Sequence, residues 1–262
     1  MMTPTSDSSI ATSRRGFYRV YHQEDLPVEM VLDALNEPGK VLKVSGKSVT
    51  RRVGSWILKE SRVQAGLGIV KHTVLRARYR QAWIAGNYLL RHAVAVPRPH
   101  AFVEKGGFGI ILGNVLITDY LEGCCNVEQF ALRLDRDSEI EAFLSGIAGA
   151  VNALTATGAY HADLSGKNIF TGDGSKFYFI DLDGVVLNRS YTDASRMKNH
   201  VQLYDSFCDR WPPGVLDPFI ARMLPAGYDV SGWLRAVHEG QAKRRAAHQS
   251  SRGHKPASST CS

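Results

Sequence analysis

Residues 161–168 read His-Ala-Asp-Leu-Ser-Gly-Lys-Asn, and Ile-Asp-Leu-Asp follows at residues 180–183. The first stretch puts a carboxylate, Asp163, and an amide, Asn168, on one loop. A Thr-Gly-Asp-Gly turn in the intervening segment predicts a hairpin that brings Asp181 back beside Asn168. Phosphoryl transfer needs a carboxylate to accept the proton of an attacking hydroxyl, and a second carboxylate with an amide oxygen to hold Mg²⁺ on nucleotide phosphates. The order and spacing of these residues therefore predict a kinase-like site.

The chain before this motif predicts a β-rich first half. Short runs of β-forming residues are separated by turns at Gly46 and Gly54, and a helix is predicted to end before Pro97 and Pro99, which cannot continue it. The predicted elements are strands over 41–44, 49–53 and 56–59, a helix over 72–90, and strands over 101–104 and 110–119.

The chain after residue 120 predicts mainly helices. The stretch from Ser138 to Glu141 has the pattern of a capping box, and the apolar residues behind it fall on one helical stripe that stops at Gly158. Helices are also predicted over 197–207 and 233–248, and short strands over 169–170 and 177–180. The result is an α+β plan with two lobes. The lobes are predicted at 14–119 and 120–248, between Ser/Thr-rich ends, 1–13 and 249–262, that are predicted to be disordered.

The composition is that of an ordinary globular protein: 262 residues, 44% hydrophobic and 22% charged, which excludes a disordered chain. A formal net charge of +7 indicates an anionic partner without identifying it. Between Lys40 and Arg98, 13 Lys and Arg stand against one acid, Glu60. Such a block suits an anionic membrane, a nucleic acid or a polyphosphorylated ligand, and it equally suits the solvated faces of surface helices.

The cysteines and the apolar segments indicate a cellular location. None of the four cysteines has metal-ligand spacing, which indicates a reducing compartment. Residues 1–13 contain no apolar segment of a signal peptide, and the longest apolar stretch, 108–121, is too short to span a bilayer. We therefore expect a cytoplasmic protein that docks, at most, on the surface of a membrane.

Two glycine motifs do not meet their structural requirements. The stretch 45–48, Ser-Gly-Lys-Ser, lacks the first glycine of a P-loop, which would fall at Val41, and a strand rather than a helix is predicted to follow. The Gly-x-Gly pairs at 66–68 and 107–109 lack the third glycine of a dinucleotide fold. We expect a β-hairpin tip at Gly46 whose backbone amides cover phosphates.

Residues 161–183 resemble the catalytic and metal-binding loops of the protein-kinase superfamily. The variant Ile-Asp-x-Asp in place of Asp-Phe-Gly is similar to the lipopolysaccharide kinases of the Kdo/WaaP type. Residues 96–99, 117–123 and 196–199 also look like sequence features of that family. The resemblance covers roughly residues 40–210, and its catalytic loop is the specific part. It implies a bilobal protein-kinase-like fold, ATP and Mg²⁺ as cofactors, and transfer of the γ-phosphate to a sugar hydroxyl of the lipopolysaccharide core, on Kdo or heptose.

The resemblance also implies roles for the matching residues. Asp163 would be the catalytic base, Asn168 and Asp181 the Mg²⁺ ligands, and His161 a support of the loop. Lys59 matches the lysine that pairs with the α and β phosphates of ATP, and its alternative is an outward-facing strand lysine.

Two further assignments concern the rim of the site. Glu122 and the backbone near Tyr120 are expected to face the adenine. Lys167 is expected to neutralise charge on the transferred phosphoryl group, with a solvated loop lysine as the alternative.

The sequence also departs from the protein-kinase pattern. A protein kinase pairs its strand lysine with a glutamate on the following helix, but residues 71–98 contain no acid, and Gln81 and Ala82 stand where the glutamate would fall. We expect Asn87, or ATP alone, to hold Lys59. No docking arginine follows the catalytic histidine and no Ala-Pro-Glu motif follows Asp181, so we expect a constitutive kinase of a small or lipid-linked hydroxyl.

Three functions remain open at this stage. The first is the lipopolysaccharide kinase, a monomer that binds an anionic glycolipid or sugar and an anionic membrane surface. The second keeps the chemistry with another acceptor, a Ser/Thr kinase or an antibiotic phosphotransferase. It is suggested by acidic residues on the expected acceptor side, Asp183, Asp193, Asp205 and Asp209. The third is a pseudokinase or RNA-binding regulator, which the intact motif residues and the few aromatics among the basic residues disfavour.

Overall fold

The structure, a computed structural model, describes residues 9–46, 48–61, 77–107, 110–187 and 191–253. The strands in these ranges are β1 (Ile10–Arg15), β2 (Tyr18–Gln23), β3 (Lys40–Val44), β4 (Ser48–Val53), β5 (Trp56–Ser61), β6 (Pro99–Gly107), β7 (Ile110–Asp119), β8 (Cys125–Asn126), β9 (Tyr160–His161), β10 (Ile169–Thr171), β11 (Tyr178–Phe179) and β12 (Val185–Val186). The helices are α1 (Val28–Asn36), α2 (Ala77–Arg91), α3 (Val127–Ala131), α4 (Asp137–Ala156), α5 (Asp193–Phe207), α6 (Pro213–Ala221) and α7 (Val230–Gly253), and Gly166–Asn168 and Leu182–Gly184 form 3₁₀ turns.

Seven of the described strands form one antiparallel sheet in the order β1-β2-β6-β7-β5-β4-β3. The five strands predicted in the first half are all present. Helix α2 confirms residues 77–90 of the predicted helix, and its residues 72–76 lie outside the described residues. Ser45 N–H donates to Ser48 O at 2.8 Å, so β3 and β4 form a hairpin and no P-loop helix follows Gly46. Lys47 is outside the described residues.

Strand β1 corrects the prediction that residues 1–13 are disordered. Its residues 10–13 pair with β2, and β2 pairs in turn with β6. No residue of β1 is buried. The strand therefore lacks the alternation of apolar and polar residues that predicts a half-buried strand. It is held by backbone hydrogen bonds at the edge of the sheet. Residues 1–8 lie outside the described residues.

Helix α4 confirms the predicted apolar stripe but begins differently. All seven predicted core positions are buried: Ile140, Phe143, Leu144, Ile147, Ala148, Val151 and Leu154. The predicted capping box is wrong because the helix begins at Asp137 after Arg136, with no side-chain cap. The first turn instead contains Asp137 and Glu139, whose charges suit the positive end of the helix dipole, and Glu139 pairs with Arg136.

The last helix, α7, corrects the prediction that the chain is disordered from residue 249. It continues to Gly253 because the intervening Gln-Ser-Ser-Arg contains no proline or glycine to end it. Its middle is fixed to α5, where Arg244 and Arg245 pair with Asp205. Residues 254–262 lie outside the described residues. No helix in the described part of the chain is long and apolar enough to cross a membrane.

The buried residues form two cores. One lies between the sheet and α1 and includes Val31, Leu58 and Ile117. The other extends from α2 into the helical half and includes Leu89, Ile147 and Phe207. The predicted α+β plan is confirmed, with a β-rich region before Asp119 and a mainly helical region after it. Helix α2 packs against the 3₁₀ turn at Leu182–Gly184, so the segment that contains Asp181 lies where the two regions meet.

Candidate active site

The catalytic loop is fixed at its start by His161. Strand β9 pairs with β12, and this pairing buries the imidazole. The Nε2–H of His161 donates to Ile180 O at 3.0 Å, while Nδ1 accepts from Asp163 N at 3.3 Å. Burial lowers the pKa of His161, so the ring is neutral and makes one bond as donor and one as acceptor. The histidine thus ties Asp163 to the strand that precedes Asp181.

Both oxygens of the Asp163 carboxylate accept hydrogen bonds from neutral amides. Asn168 Nδ2 donates to Oδ2 at 3.0 Å and to the backbone oxygen of Asp163 at 2.8 Å. Gln202 Nε2 donates to Oδ1 at 3.3 Å. The carboxylate is therefore oriented without a cation in contact with it in the described part of the chain, and it can still accept a proton.

Helix α5 supplies two site residues that the sequence analysis missed, Asn199 and Gln202. Asn199 Nδ2 donates to His161 O at 2.9 Å, and Gln202 Oε1 accepts from Leu164 N at 3.1 Å. Both side chains are buried. A signal was present in the sequence, because two amides spaced i, i+3 share the helix face that carries the buried Leu203, and buried amides need partners.

The hairpin of β10 and β11 brings Asp181 back to the loop as the sequence predicts. Ile169 pairs with Phe179, and Ile180 N–H donates to Asn168 O at 2.9 Å. Asp181 itself has φ +57° and ψ 48°, the left-handed conformation, which costs about 1 kcal/mol for a residue with a side chain. Aspartate tolerates this region better than most residues, and such strain is concentrated at functional sites.

Lys59 lies on β5 opposite Thr50 and pairs with two carboxylates. Its Nζ contacts Asp181 Oδ1 and lies 3.9 Å from Asp183 Oδ2. Burial lowers the pKa of Lys59, but the charge of Asp181 and its hydrogen bond outweigh that effect, so the pKa is raised and the amine is protonated. Asn87 does not hold this lysine, contrary to our expectation. Its oxygen accepts from Gln23 Nε2 at 2.7 Å and its Nδ2 donates to Trp83 O.

One cavity of about 740 Å³ contains most of the predicted site. Its lining includes Lys59, Asp163, Lys167, Asn168 and Asp181, which come from both regions of the chain.

The two remaining predicted residues lie at or beyond the rim of this cavity. Gly46 is in the β3–β4 turn, between the cavity-lining residues Ser45 and Ser48. The prediction for Glu122 is wrong for its side chain, which is 75% exposed, pairs with Arg52 at 2.7 Å and is not part of the cavity wall. Its neighbours Tyr120 and Leu121 line the cavity instead, and Tyr120 N–H donates to Ser55 O. Arg52 also lies 3.9 Å above the Tyr120 ring, so one guanidinium contacts both Tyr120 and Glu122.

The acidic residues that suggested a cationic acceptor form ion pairs or hydrogen bonds within the protein. Asp183 lies beside Lys59, and Asp193 accepts from the Tyr228 hydroxyl. Asp205 pairs with Arg244 and Arg245, and Asp209 pairs with Arg245. These contacts remove the observation that favoured an antibiotic phosphotransferase.

The polar atoms at the cavity suit a nucleotide-bound magnesium ion. The carboxylate of Asp181 and the side-chain oxygen of Asn168 are the hard oxygen ligands that Mg²⁺ prefers, and the nitrogen of Asn168 is already used by Asp163. The described residues contain no group of three or more His, Cys, Asp or Glu that would enclose a metal by itself. An ion held by two protein ligands and by substrate phosphates is the usual magnesium arrangement at such sites.

A two-region fold with Lys59, Asp163, Asn168 and Asp181 around one interlobar cavity defines the protein-kinase-like class of phosphotransferases. Residues 46–219, more than half of the chain, match the model of the Lipopolysaccharide kinase (Kdo/WaaP) family, and the chain belongs to that family. It is a kinase with an alcohol acceptor, and its family supports a sugar kinase role.

Solved structures share the fold. WaaP, determined in complex with acyl carrier protein, is 19% identical with a TM-score of 0.66, and the match covers 86% of this chain and 98% of that chain. WbdD is 16% identical with a TM-score of 0.53, and the match covers 80% of this chain but 47% of WbdD, so this chain spans about half of WbdD. None of the curated proteins matches this chain. The predicted protein-kinase-like fold and the family resemblance are thereby confirmed.

Proposed function

We propose that this chain is an ATP- and Mg²⁺-dependent kinase that phosphorylates a hydroxyl of Kdo or heptose in the lipopolysaccharide core. The observation that supports it most is that Asp163, Asn168, Asp181 and Lys59 line one cavity. A vestigial site in a pseudokinase or RNA-binding regulator would have no need to keep all four. Family membership supports the sugar acceptor, and the acceptor's identity within the core is our extension of it.

Asp163 is the proposed catalytic base. The acceptor oxygen forms a bond to the γ-phosphorus, the bond from that phosphorus to the ADP oxygen breaks, and the acceptor proton passes to the carboxylate of Asp163. The amide donors on both carboxylate oxygens hold the group still while leaving lone pairs for that proton. Mg²⁺, held by Asn168 and Asp181, would supply positive charge to the phosphates.

Lys59 is the proposed ligand of the α and β phosphates, and Asp183 is its proposed anchor. A protein kinase uses a helix glutamate for that purpose, but α2 contains no acid. The Asp183 side chain is only 6% exposed and lies 3.9 Å from Lys59 Nζ. It can therefore keep the ammonium near the phosphates when the carboxylate of Asp181 serves as a metal ligand.

Lys167 and the β3–β4 turn are proposed to close the phosphate end of the site. Lys167 lies between base and metal ligand in the sequence and lines the cavity, so its ammonium can neutralise charge on the transferred group. Gly46 would let the turn approach the phosphates, because the space around its α-carbon is open.

We also propose that the kinase works on the cytoplasmic face of an anionic membrane and contacts it through β3. All five residues of this edge strand are exposed, and they combine aliphatic Val41 and Val44 with Lys40 and Lys43. Each well-placed lysine near an anionic bilayer contributes about 1 kcal/mol of binding free energy. Other members of the basic block already have partners: Arg51 at Leu35 O, Arg52 at Glu122 and Arg98 at Asp25.

The function is tested with labelled ATP, Mg²⁺ and three parallel acceptors: purified lipooligosaccharide, a generic protein substrate and kanamycin. We expect label in the lipooligosaccharide alone, with a phosphate-sized increase in its core mass that Asp163→Asn abolishes. Label in kanamycin or protein instead would overturn the proposed acceptor.

Sedimentation of Lys40→Glu/Lys43→Glu with phosphatidylglycerol vesicles tests the membrane surface. We expect weaker binding than wild type, and unchanged binding would exclude β3 as that surface.

A further inference from the structure

The side chain of Gln202 contacts three successive residues of the catalytic loop. Its Nε2 donates to Ala162 O at 3.4 Å and to Asp163 Oδ1 at 3.3 Å, and its Oε1 accepts from Leu164 N at 3.1 Å. The residue lies on α5, about 40 residues away in the chain, and is 4% exposed. The amide of Gln202 therefore bonds to the peptide group before Asp163, to the peptide group after it and to its carboxylate.

The partners of this amide decide which end faces the carboxylate. Oε1 lies against two donors, Leu164 N and Asn199 Nδ2 at 3.2 Å. Nε2 lies against two acceptors, the oxygen of Ala162 and Oδ1 of Asp163. A flipped amide would set donor against donor and acceptor against acceptor, so the chemistry allows one orientation.

The two oxygens of Asp163 are held by residues with different duties. Asn168, which holds Oδ2, belongs to the same loop and is the proposed metal ligand. Gln202, which holds Oδ1, belongs to a helix of the buried core and does not line the cavity. One oxygen of the Asp163 carboxylate is thus held by the loop itself, and the other is held by a helix outside the loop.

We propose that Gln202 is a positioning residue for catalysis: it aims the carboxylate of Asp163 at the acceptor hydroxyl. This rests on the proposed function, in which Asp163 is the base. The reacting groups of an enzyme must be aligned closely, and a shift of 1 Å can lower the rate about 100-fold. A swing of the Asp163 side chain about its own bonds is the motion that the Gln202 amide prevents.

Asn199 separates this role from simple anchoring of the loop. Its Nδ2 also ties α5 to the loop, at His161 O, and it is equally buried, but it makes no hydrogen bond with Asp163. The same Nδ2 donates to Gln202 Oε1, but Leu164 N donates to that oxygen as well, so Gln202 keeps one partner there and its bond to Asp163 when Asn199 is replaced. If Gln202 served only to fix the loop to the helix, substitutions of Gln202 and Asn199 would have the same kinetic effects. Asn199→Ala is therefore the matched control.

The decisive variant is Gln202→Glu, which keeps an acceptor for Leu164 N but places a second carboxylate beside Asp163 instead of a donor. We expect kcat to fall about 10- to 100-fold while the KM for ATP changes less than about two-fold. Asn199→Ala should change kcat less than Gln202→Glu does. Gln202→Met, which has no charge and a similar shape, should show the same split if Gln202→Glu does not fold. Wild-type kcat in a folded Gln202 variant would overturn the proposal.

A double-mutant cycle tests whether Gln202 acts through Asp163. In an Asp163→Ala background, measured under single-turnover conditions, Gln202→Glu should change the residual rate less than about two-fold. An undiminished further loss would overturn the proposal, because the glutamine would then act independently of the carboxylate. If Asp163→Ala itself retains the wild-type rate, the base assignment fails instead, so the two failures are distinguishable.

Discussion

Asp163 and Asp205 are two carboxylates that are held in opposite ways, Asp163 at the surface and Asp205 in a partly buried position. Asp163 receives its hydrogen bonds from the neutral amides of Asn168 and Gln202. Asp205, on α5, is bound by two guanidinium groups from α7, those of Arg244 and Arg245. Burial raises the pKa of Asp205, but its hydrogen bonds to Arg245, Gln241 and Arg244 outweigh this and lower it.

The difference matches the proposed role of Asp163 as a base and the structural role of Asp205. A carboxylate locked between cations gains stability from its charge and resists protonation, which suits the attachment of a helix. A general base must be oriented and yet free to take a proton, so neutral donors suit it better. Substitutions at the two positions should therefore affect different properties of the protein.

The largest expected effect is that of Asp163→Asn on turnover. Removal of the proposed base should lower kcat about 10²- to 10⁴-fold, because proton transfer in the transition state loses its acceptor. ATP binding, measured by calorimetry, should remain within about two-fold of wild type, since the proposed base acts on the acceptor hydroxyl and is not a proposed ligand of the nucleotide. A variant that phosphorylates lipooligosaccharide at the wild-type rate would contradict the assignment.

Lys59→Met should have the next largest effect. It extends the comparison to Asp181, a carboxylate whose partner is the proposed phosphate-binding lysine. Loss of the ammonium should lower kcat/KM for ATP roughly 100-fold, since charge on the phosphates is no longer stabilised. Lys105→Met is the matched control, because Lys105 pairs with Glu60 on the same sheet and does not line the cavity. Equal losses in both variants would show that the charge of the sheet, not the position of Lys59, matters.

Asp205→Asn should leave activity within two-fold and reduce stability. The two arginines are about one third exposed, so after solvent screening we expect a loss of about 1 kcal/mol in the free energy of unfolding, measured with urea. Asp209→Asn, at a carboxylate that is 83% exposed, should change it much less. A loss of turnover in Asp205→Asn with unchanged stability would contradict the structural role of Asp205.

The smallest effect at neutral pH is a pH dependence that arises away from both carboxylates and grows as the pH falls. Burial lowers the pKa of His200 to about 3, and Trp233 Nε1–H donates to its Nδ1. In the unfolded chain this histidine titrates near its ordinary value of about 6.5, so below that pH the unfolded state binds the extra proton. The contribution of neutral His200 to the free energy of unfolding should be fully present above pH 6.5. Below that pH, the free energy of unfolding should fall by up to about 1.4 kcal/mol per pH unit. His200→Gln should flatten that slope in urea titrations from pH 7 to 5, and an unchanged slope would assign it to other groups.

The sequence is a good guide to the elements and to the chemical groups of the site. Strands and helices with strong patterns, such as α4 with its buried stripe, are found at nearly the predicted positions. The residues from His161 to Asp181 come together because a short hairpin connects them, and hairpins can be recognised locally.

What the sequence does not reveal depends on contacts between distant segments. Strand β1 has no apolar alternation, and its pairing with β2 is visible only in the sheet. The partner of Lys59, Asp181, lies 122 residues further along the chain. The spacing of residues in the sequence does not determine how close that segment lies to β5. Glu122 is drawn outward by Arg52 from another strand. Gln202 looks like an ordinary polar residue of a helix until the loop is placed against it.

The seven-stranded sheet ends in two edge strands, β1 and β3. An edge strand turns one row of its backbone groups away from the sheet, and such a row could recruit a strand from another molecule. Two features of β3 oppose such growth: the lysines at positions 40 and 43, and the irregular register between Val41 and Lys43. The same lysines that we propose for contact with lipid thus also oppose edge-to-edge pairing of two molecules through β3.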